Sequence, residues 1–247
     1  MLSIILPPLP EQKRIGEIIL SWETAIEQTR RLIDERKLRK IALMQKLLTG
    51  KMRLGDFSDS WRKFSLGELF DERTEINNHH LPLLAITGSR GVILASEIQR
   101  KDSSTENKSR YKRIVPGDIG YNTMRMWQGV SAVSSLEGII SPAYTVCIPK
   151  NGIDSLFMGY FFKFPPIINL FRRYSQGLVN DTLNLKFSNF AKIKIKIPNY
   201  EEQTLIRELL STADEEIEVL QAKLSALEKQ KRGLMQKLLA GEVRVKP

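Results

Sequence analysis

Apolar residues near the start of the chain keep a helical spacing. Ile15, Ile19, Trp22, Ile26, Ile33, Leu43 and Leu47 lie along one heptad seam, with polar residues Thr29, Arg36 and Lys40 in the gaps. Pro7, Pro8 and Pro10 disfavour helix before Glu11, whose charge suits a helix N-terminus, and Gly50 is a helix stop. The pattern predicts one helix of about 38 residues, roughly 57 Å long at 1.5 Å per residue. A second seam closes the chain: Leu210, Ala213, Ile217, Leu220, Leu224, Leu227, Lys231, Leu234 and Leu238, ended by Gly241.

The two seams are copies of one another. Leu43–Leu48 (LMQKLL) recurs as Leu234–Leu239, an offset of 191 positions that holds without gaps from residue 5 to residue 54. Pro7, Glu11, Gln12, Ile15, Ile26, Lys40, Gly50 and Arg53 recur as Pro198, Glu202, Gln203, Ile206, Ile217, Lys231, Gly241 and Arg244. One helical unit has been duplicated around a different middle segment. Two long helices with one apolar stripe each bury those stripes best against each other. One helix leads into the middle segment and the other leads out, so within one chain the pairing is antiparallel. Ile26, Ile33, Leu43 and Leu47 are expected to face Ile217, Leu220, Leu224, Leu227, Leu234 and Leu238. Lys40 and Lys231 either set register or touch an acidic partner, or, the preferred expectation, lie across the seam with their charges in water.

Between the helices the period changes. LPLLAIT (81–87) and GVILAS (91–96) read as strands about a Gly88-Ser89-Arg90 turn, and Ile119–Asn122 follows a Pro116-Gly117-Asp118 turn. SAVSS, GIISPAYTVCIP and AKIKIKIP read as further strands, and 158–174 as helix interrupted at Pro165-Pro166. The expected fold is α+β: a mixed α/β domain over 56–198, with helical segments 1–55 and 199–247 packed as an antiparallel coiled coil.

Charge adds a partner class. The net charge is +10 and the pI near 9.7. Residues 1–55 carry 11 basic and 6 acidic side chains, 56–198 carry 19 and 13, and 199–247 carry 8 and 9. The first helix and the middle domain therefore hold the excess, which favours a polyanion. Cys147 is the single cysteine, so no disulfide forms within the chain and no multi-cysteine metal site exists. The apolar start, MLSIILPPLP, is too short to span a bilayer and lacks a basic leader, which points to the cytoplasm and to no membrane partner.

Catalytic patterns are missing. Asp118 has no following acid-x-Lys of a nuclease, Phe164-Pro165-Pro166-Ile167 lacks both ends of an adenine methyltransferase motif, and adjacent His79 and His80 cannot share a helix face as metal ligands. No catalytic or metal-ligating residue is assigned. DNA-contacting residue types do cluster. Lys101, Lys108, Arg110, Lys112 and Arg113 form a basic run, either a solvated loop or phosphate ligands. Tyr121, Asn122, Arg125 and Gln128 supply base-reading types beside Met124, Met126 and Trp127, and Asn180 lies in a polar loop with Asp181, Thr182 and Asn184.

Together these pieces resemble the specificity subunit of type I restriction-modification systems. The resemblance rests on Leu9-Pro10-Glu11-Gln12 and Glu201-Glu202-Gln203 at the helix starts, and on LMQKLLTGKMRL and LMQKLLAGEVRV at the ends. It also rests on PGDIGYNTMRMWQG, GIISPAYTV and DTLNLKFSNFAKIKIKIP in the middle domain. It implies a non-catalytic target-recognition domain that reads one half of a split site in double-stranded DNA. Its spacer helices would dock modification (methyltransferase) subunits that carry S-adenosylmethionine, none being bound by this chain, and a restriction (motor-nuclease) subunit joins them. Members of the family run domain, helix, domain, helix, whereas this sequence has one domain and resembles a half-length form. Pairing as a homodimer about a two-fold axis is the expected remedy, with a truncated fragment awaiting an upstream partner as the alternative. Two other classes stay open: a coiled-coil adaptor without DNA specificity, and a self-contained methyltransferase.

Overall fold

The computed structural model describes residues 6–88, 90–98, 107–179 and 182–246. Two long helices bracket the chain, α1 (Leu9–Leu47) and α6 (Tyr200–Leu239). The helix α1 begins two residues ahead of Glu11 and takes Pro10 into its first turn. A proline costs little there, because the first N–H groups of a helix have no intrahelical acceptor. Both helices end in the same way. Gly50 and Gly241 adopt left-handed φ of 68° and 72°, and their N–H groups return to Leu47 O and Leu238 O at 3.2 and 3.3 Å.

The chain divides into two compact units. The first comprises 1–43 with 210–247, and the second 44–209. In the first, ion pairs run between the helices. Glu23 meets Lys231 at 2.9 Å, Arg30 meets Glu228 at 2.6 Å, and Lys40 meets Asp214 at 2.5 Å. As the position rises from 23 to 40 in α1, its partner falls from 231 to 214 in α6, so the helices are antiparallel. Ile15, Ile26, Ile33, Ile217 and Leu238 are buried on the facing stripes, whereas Leu43, Leu220, Leu224, Leu227 and Leu234 are half-buried. Lys40 and Lys231 correct the expectation of water-facing charges: each ammonium reaches an acid on the other helix, and the acids, Asp214 and Glu23, are themselves 191 positions apart.

Among the described residues the second unit holds ten short strands. A four-stranded antiparallel sheet runs in the order β2 (Phe70–Glu72), β9 (Tyr144–Pro149), β6 (Ile119–Asn122), β7 (Ser131–Val133). Around it lie three two-stranded ribbons: β3 (Leu84–Thr87) with β4 (Gly91–Leu94), β5 (Lys112–Ile114) with β8 (Gly138–Ile140), and β1 (Arg62–Ser65) with β10 (Lys194–Ile197). In β10 alternate residues Ile195 and Ile197 are buried while Lys194 and Lys196 face out, as a half-buried strand requires. The α-helices of the domain among the described residues are a single turn α2 (Leu66–Leu69), α3 (Ser155–Phe162), α4 (Pro165–Tyr174) and another turn α5 (Phe187–Phe190). Pro165-Pro166 interrupts the long helical pattern by opening α4, where proline is tolerated.

Two apolar groups sit on the four-stranded sheet. Leu84, Ile86, Val92, Ile114, Ala132, Ile140 and Val146 form an aliphatic core. Gly120 in β6 permits this packing, because a Cβ there would lie 2.3 Å from Ile86 Cδ1. An aromatic group joins the sheet to the helices: Phe70, Tyr121, Phe162, Phe171 and Phe190 have ring centroids 5.3–6.1 Å apart in stacked and edge-on pairs. Each such buried ring contributes roughly 1.5–3 kcal/mol relative to exposure. Among the described residues no helix is long and apolar enough to cross a membrane.

Candidate nucleic-acid interface

The turn after β6 places the polar residues that the sequence singles out. Asn122 Oδ1 accepts from Met124 N at 3.0 Å, and Asn122 O accepts from Arg125 N at 3.0 Å, closing a tight turn. Met126 is fully buried and anchors it from below. One 3₁₀ turn follows, and Gly129 ends it with φ 76°, where a Cβ would come 2.8 Å from Ile168 Cδ1. Anchored in this way, the turn leaves the side chains of Arg125 and Gln128 exposed. Trp127 is half-buried, donates from Nε1 to Met124 O at 3.0 Å, and carries the Arg172 guanidinium 5.9 Å from its ring centroid. Asn122 is half-buried and shapes the turn.

Tyr121 departs from its expected place. It is 0% exposed and its ring stacks on Phe190 at 5.3 Å, so it is a core residue and presents nothing to DNA. The reason is its strand: β6 lies between β9 and β7 in the middle of the sheet, and position 121 points into the aromatic group. Burial also pushes its phenol well above the ordinary value.

The basic run divides. Arg110 is exposed and Lys108 half-buried. Lys112 meets Glu72 at 3.2 Å. Arg113 lies between two carboxylates, Glu75 at 2.8 Å and Glu137 at 2.6 Å. Glu75 in turn meets Arg73 at 2.5 Å, and Arg73 meets the buried Asp118 at 2.6 Å. The hydrogen bond from Arg113, then that from Arg73, holds the Glu75 carboxyl below its usual range. Contact of Lys112 or Arg113 with phosphate therefore competes with carboxylates that already hold part of their charge and donors. Lys101 and Asn180 lie outside the described residues.

The loops flanking this turn are tied together. Thr123 donates from both N and Oγ1 to Ala143 O, at 3.1 and 2.9 Å, and Thr123 O accepts from Leu185 N at 2.9 Å. Gln176 and Asn184 exchange backbone hydrogen bonds at 2.9 and 2.8 Å, closing the loop between them. These ties fix the backbone around exposed Arg125, Gln128 and Lys186; Arg172 beside Trp127, Arg173 and Arg110 are exposed as well. These residue types suit phosphate and base contact.

The family model for the type I restriction modification DNA specificity domain matches residues 58–229. The chain belongs to this family. Its relatives among curated specificity subunits include two from Methanocaldococcus jannaschii. It is 26% identical over 266 residues to the putative type I restriction enzyme MjaX specificity subunit, covering 99% of this chain and 60% of that one. It is also 26% identical over 275 residues to the type I restriction enzyme MjaVIII specificity subunit, covering 99% and 63%. The chain thus spans about three-fifths of the length of these relatives. In fold it is similar to the HsdS subunit from Thermoanaerobacter tengcongensis, with TM-score 0.55, 19% identity, and 97% and 61% of the two chains covered. It is similar as well to the type I S subunit from M. genitalium, with TM-score 0.58, 14% identity, and 93% and 61% covered.

One feature escaped the sequence reading although both its halves were in the repeat. Arg53 and Glu202 pair within the second unit, Nη2 to Oε2 at 2.7 Å, and Glu11 and Arg244 pair within the first at 2.6 Å. Residues 11 and 53 recur as 202 and 244, so each pair joins an acid of one copy to an arginine of the other. The repeat shows which residues are equivalent; it does not show that they cross over.

Proposed function

We propose that this chain is the DNA-recognition component of a type I restriction-modification assembly, itself without catalytic activity and at work in the cytoplasm. The mixed α/β domain reads one half-site in double-stranded DNA. Exposed Arg110, Arg172, Arg173 and Lys186 contact phosphates, and Arg125 and Gln128 reach base edges. The helical pair docks modification subunits, which bring S-adenosylmethionine and the methyl-transfer chemistry, and a restriction subunit joins that core. The observation that carries this reading is the anchored 122–129 turn, a rigid platform with Arg125 and Gln128 outward, in a chain of the DNA specificity family. Two copies of the chain about a two-fold axis would present two identical domains and favour a palindromic split site.

The test is methylome sequencing of cells that express the chain with its modification subunit. A symmetric split motif supports the paired form, and an asymmetric motif indicates a different second domain. Absence of any motif, together with no salt-dependent retention of the purified complex on duplex DNA, overturns DNA recognition and leaves the adaptor reading.

A further inference from the structure

Beside the 122–129 turn the α/β domain has a cleft of about 510 Å3. Its walls come from the three tied loops: Thr123 and Met124, Ala143, and Asn184, Lys186 and Ser188. At one side the Lys112–Glu72 pair is internally neutral, Lys186 adds a positive charge at the margin, and the larger part of the wall is apolar. Met124, Ala143, Lys186 and Ser188 are exposed at its margin.

Asn184 is the unusual wall residue. Its backbone is fixed by the exchange with Gln176, yet its side-chain Oδ1 is buried with no hydrogen-bond donor. A buried acceptor left unmade is costly, so the Asn184 amide gains from any arrangement that gives its oxygen a donor. Because Oδ1 breaks no hydrogen bond when it moves, turning the amide toward the cleft is inexpensive on the acceptor side. An asparagine amide offers an acceptor and a donor side by side. The base edge that matches both is adenine in the major groove, with its N6 amino donor and N7 acceptor.

We propose that the loops around this cleft enter the major groove, and that Asn184, its amide turned outward, reads an adenine there. The inference rests on the DNA-recognition reading and names a specificity-determining residue within it. Lys186, two positions on and exposed, is placed to hold the neighbouring phosphate. Asn184→Asp keeps the acceptor and removes the donor, a change that suits the cytosine N4 amino group in place of adenine.

The experiment compares methylomes of cells expressing the modification subunit with the wild-type chain, with Asn184→Asp, or with Asn184→Ser as a smaller second variant. Circular dichroism of the purified chains confirms folding. The expected result is a motif altered at one adenine position per half-site read by this chain, with the other positions kept. Discrimination there should fall about 5- to 150-fold, the range of one bidentate base contact, and Asn184→Asp should gain cytosine at that position. An unchanged motif with either variant overturns the role of Asn184. Uniform loss of methylation by a folded variant also overturns it, since that marks a general docking defect. A wild-type chain that directs no motif sinks the underlying DNA reading instead, which separates the two failures.

Discussion

Glu202→Gln tests whether the exchanged arginine–glutamate pairs hold the α/β unit to the start of its helix. The Glu202 side chain is 1% exposed and accepts from Arg53 Nε at 2.5 Å and from Nη2 at 2.7 Å. Arg53 is 24% exposed and also donates to Asp59 O at 2.9 Å. Glutamine has nearly the same volume, so no cavity opens. What is lost is the counter-charge, and the new amide NH2 group confronts guanidinium donors. Removing one partner of a buried pair costs roughly 3–5 kcal/mol. Partial hydration of Arg53 reduces this to about 2–3 kcal/mol, equivalent to a fall of about 4–12 °C in Tm for a chain of this size. The internal control is Glu11→Gln at the equivalent position, whose partner Arg244 is 65% exposed and rehydrates freely, so its loss should be clearly smaller. Urea unfolding followed by tryptophan fluorescence suits the comparison, since the Trp61 ring packs on Gly50 within the same unit. Equal losses for the two variants, or a neutral Glu202→Gln, would show that burial of the arginine partner does not set the cost.

Three further outcomes follow from the same geometry. Folded-state pKa values of Glu75, Glu68 and Glu11 are held low, by Arg113 and Arg73, by the Ser65 hydroxyl and N–H, and by Arg244 respectively. Their stabilisation is therefore complete above the unfolded value of about 4.3 and is lost as pH falls from there through the folded values. Tm measured from pH 6 to 3 should drop below pH 4.5 and drop less steeply for Glu75→Gln; identical slopes would count against the network. Gly177→Ala should destabilise the loop that carries Asn184 by about 1–3 kcal/mol, because Gly177 has φ 132° and a Cβ would sit 2.5 Å from Thr182 O. Proteolysis within 176–184 should rise, and unchanged cleavage would refute the strain. Ile33→Ala removes a side chain only 4% exposed on the α1 stripe and should cost about 2 kcal/mol or more, read as an earlier loss of helical circular dichroism; no shift would mean that the stripe is not packed.

The division of labour between sequence and fold is visible residue by residue. Helices, strand positions in the middle domain and the duplicated unit were legible because they depend on local period and on self-similarity, both properties of the linear chain. Gly50, Gly241, Pro165 and the alternation in β10 likewise act over a few residues. Side-chain partnership is different, since it depends on which distant segments meet. Nothing near Arg113 in sequence says that Glu75 and Glu137 will hold it, 38 and 24 residues away. Tyr121 belongs to a stretch rich in DNA-reading types, yet a central strand turns it into the aromatic core while Arg125, four positions on, is lifted outward by a turn. Lys40 and Lys231 looked like seam residues reaching water until the antiparallel register set an acid opposite each. The sequence by itself determined the helical pair, the α/β domain between its copies and the family. Only the tertiary structure decided which charges are already paired, which polar side chains are buried and which are exposed, because electrostatic and hydrogen-bond satisfaction is settled in three dimensions.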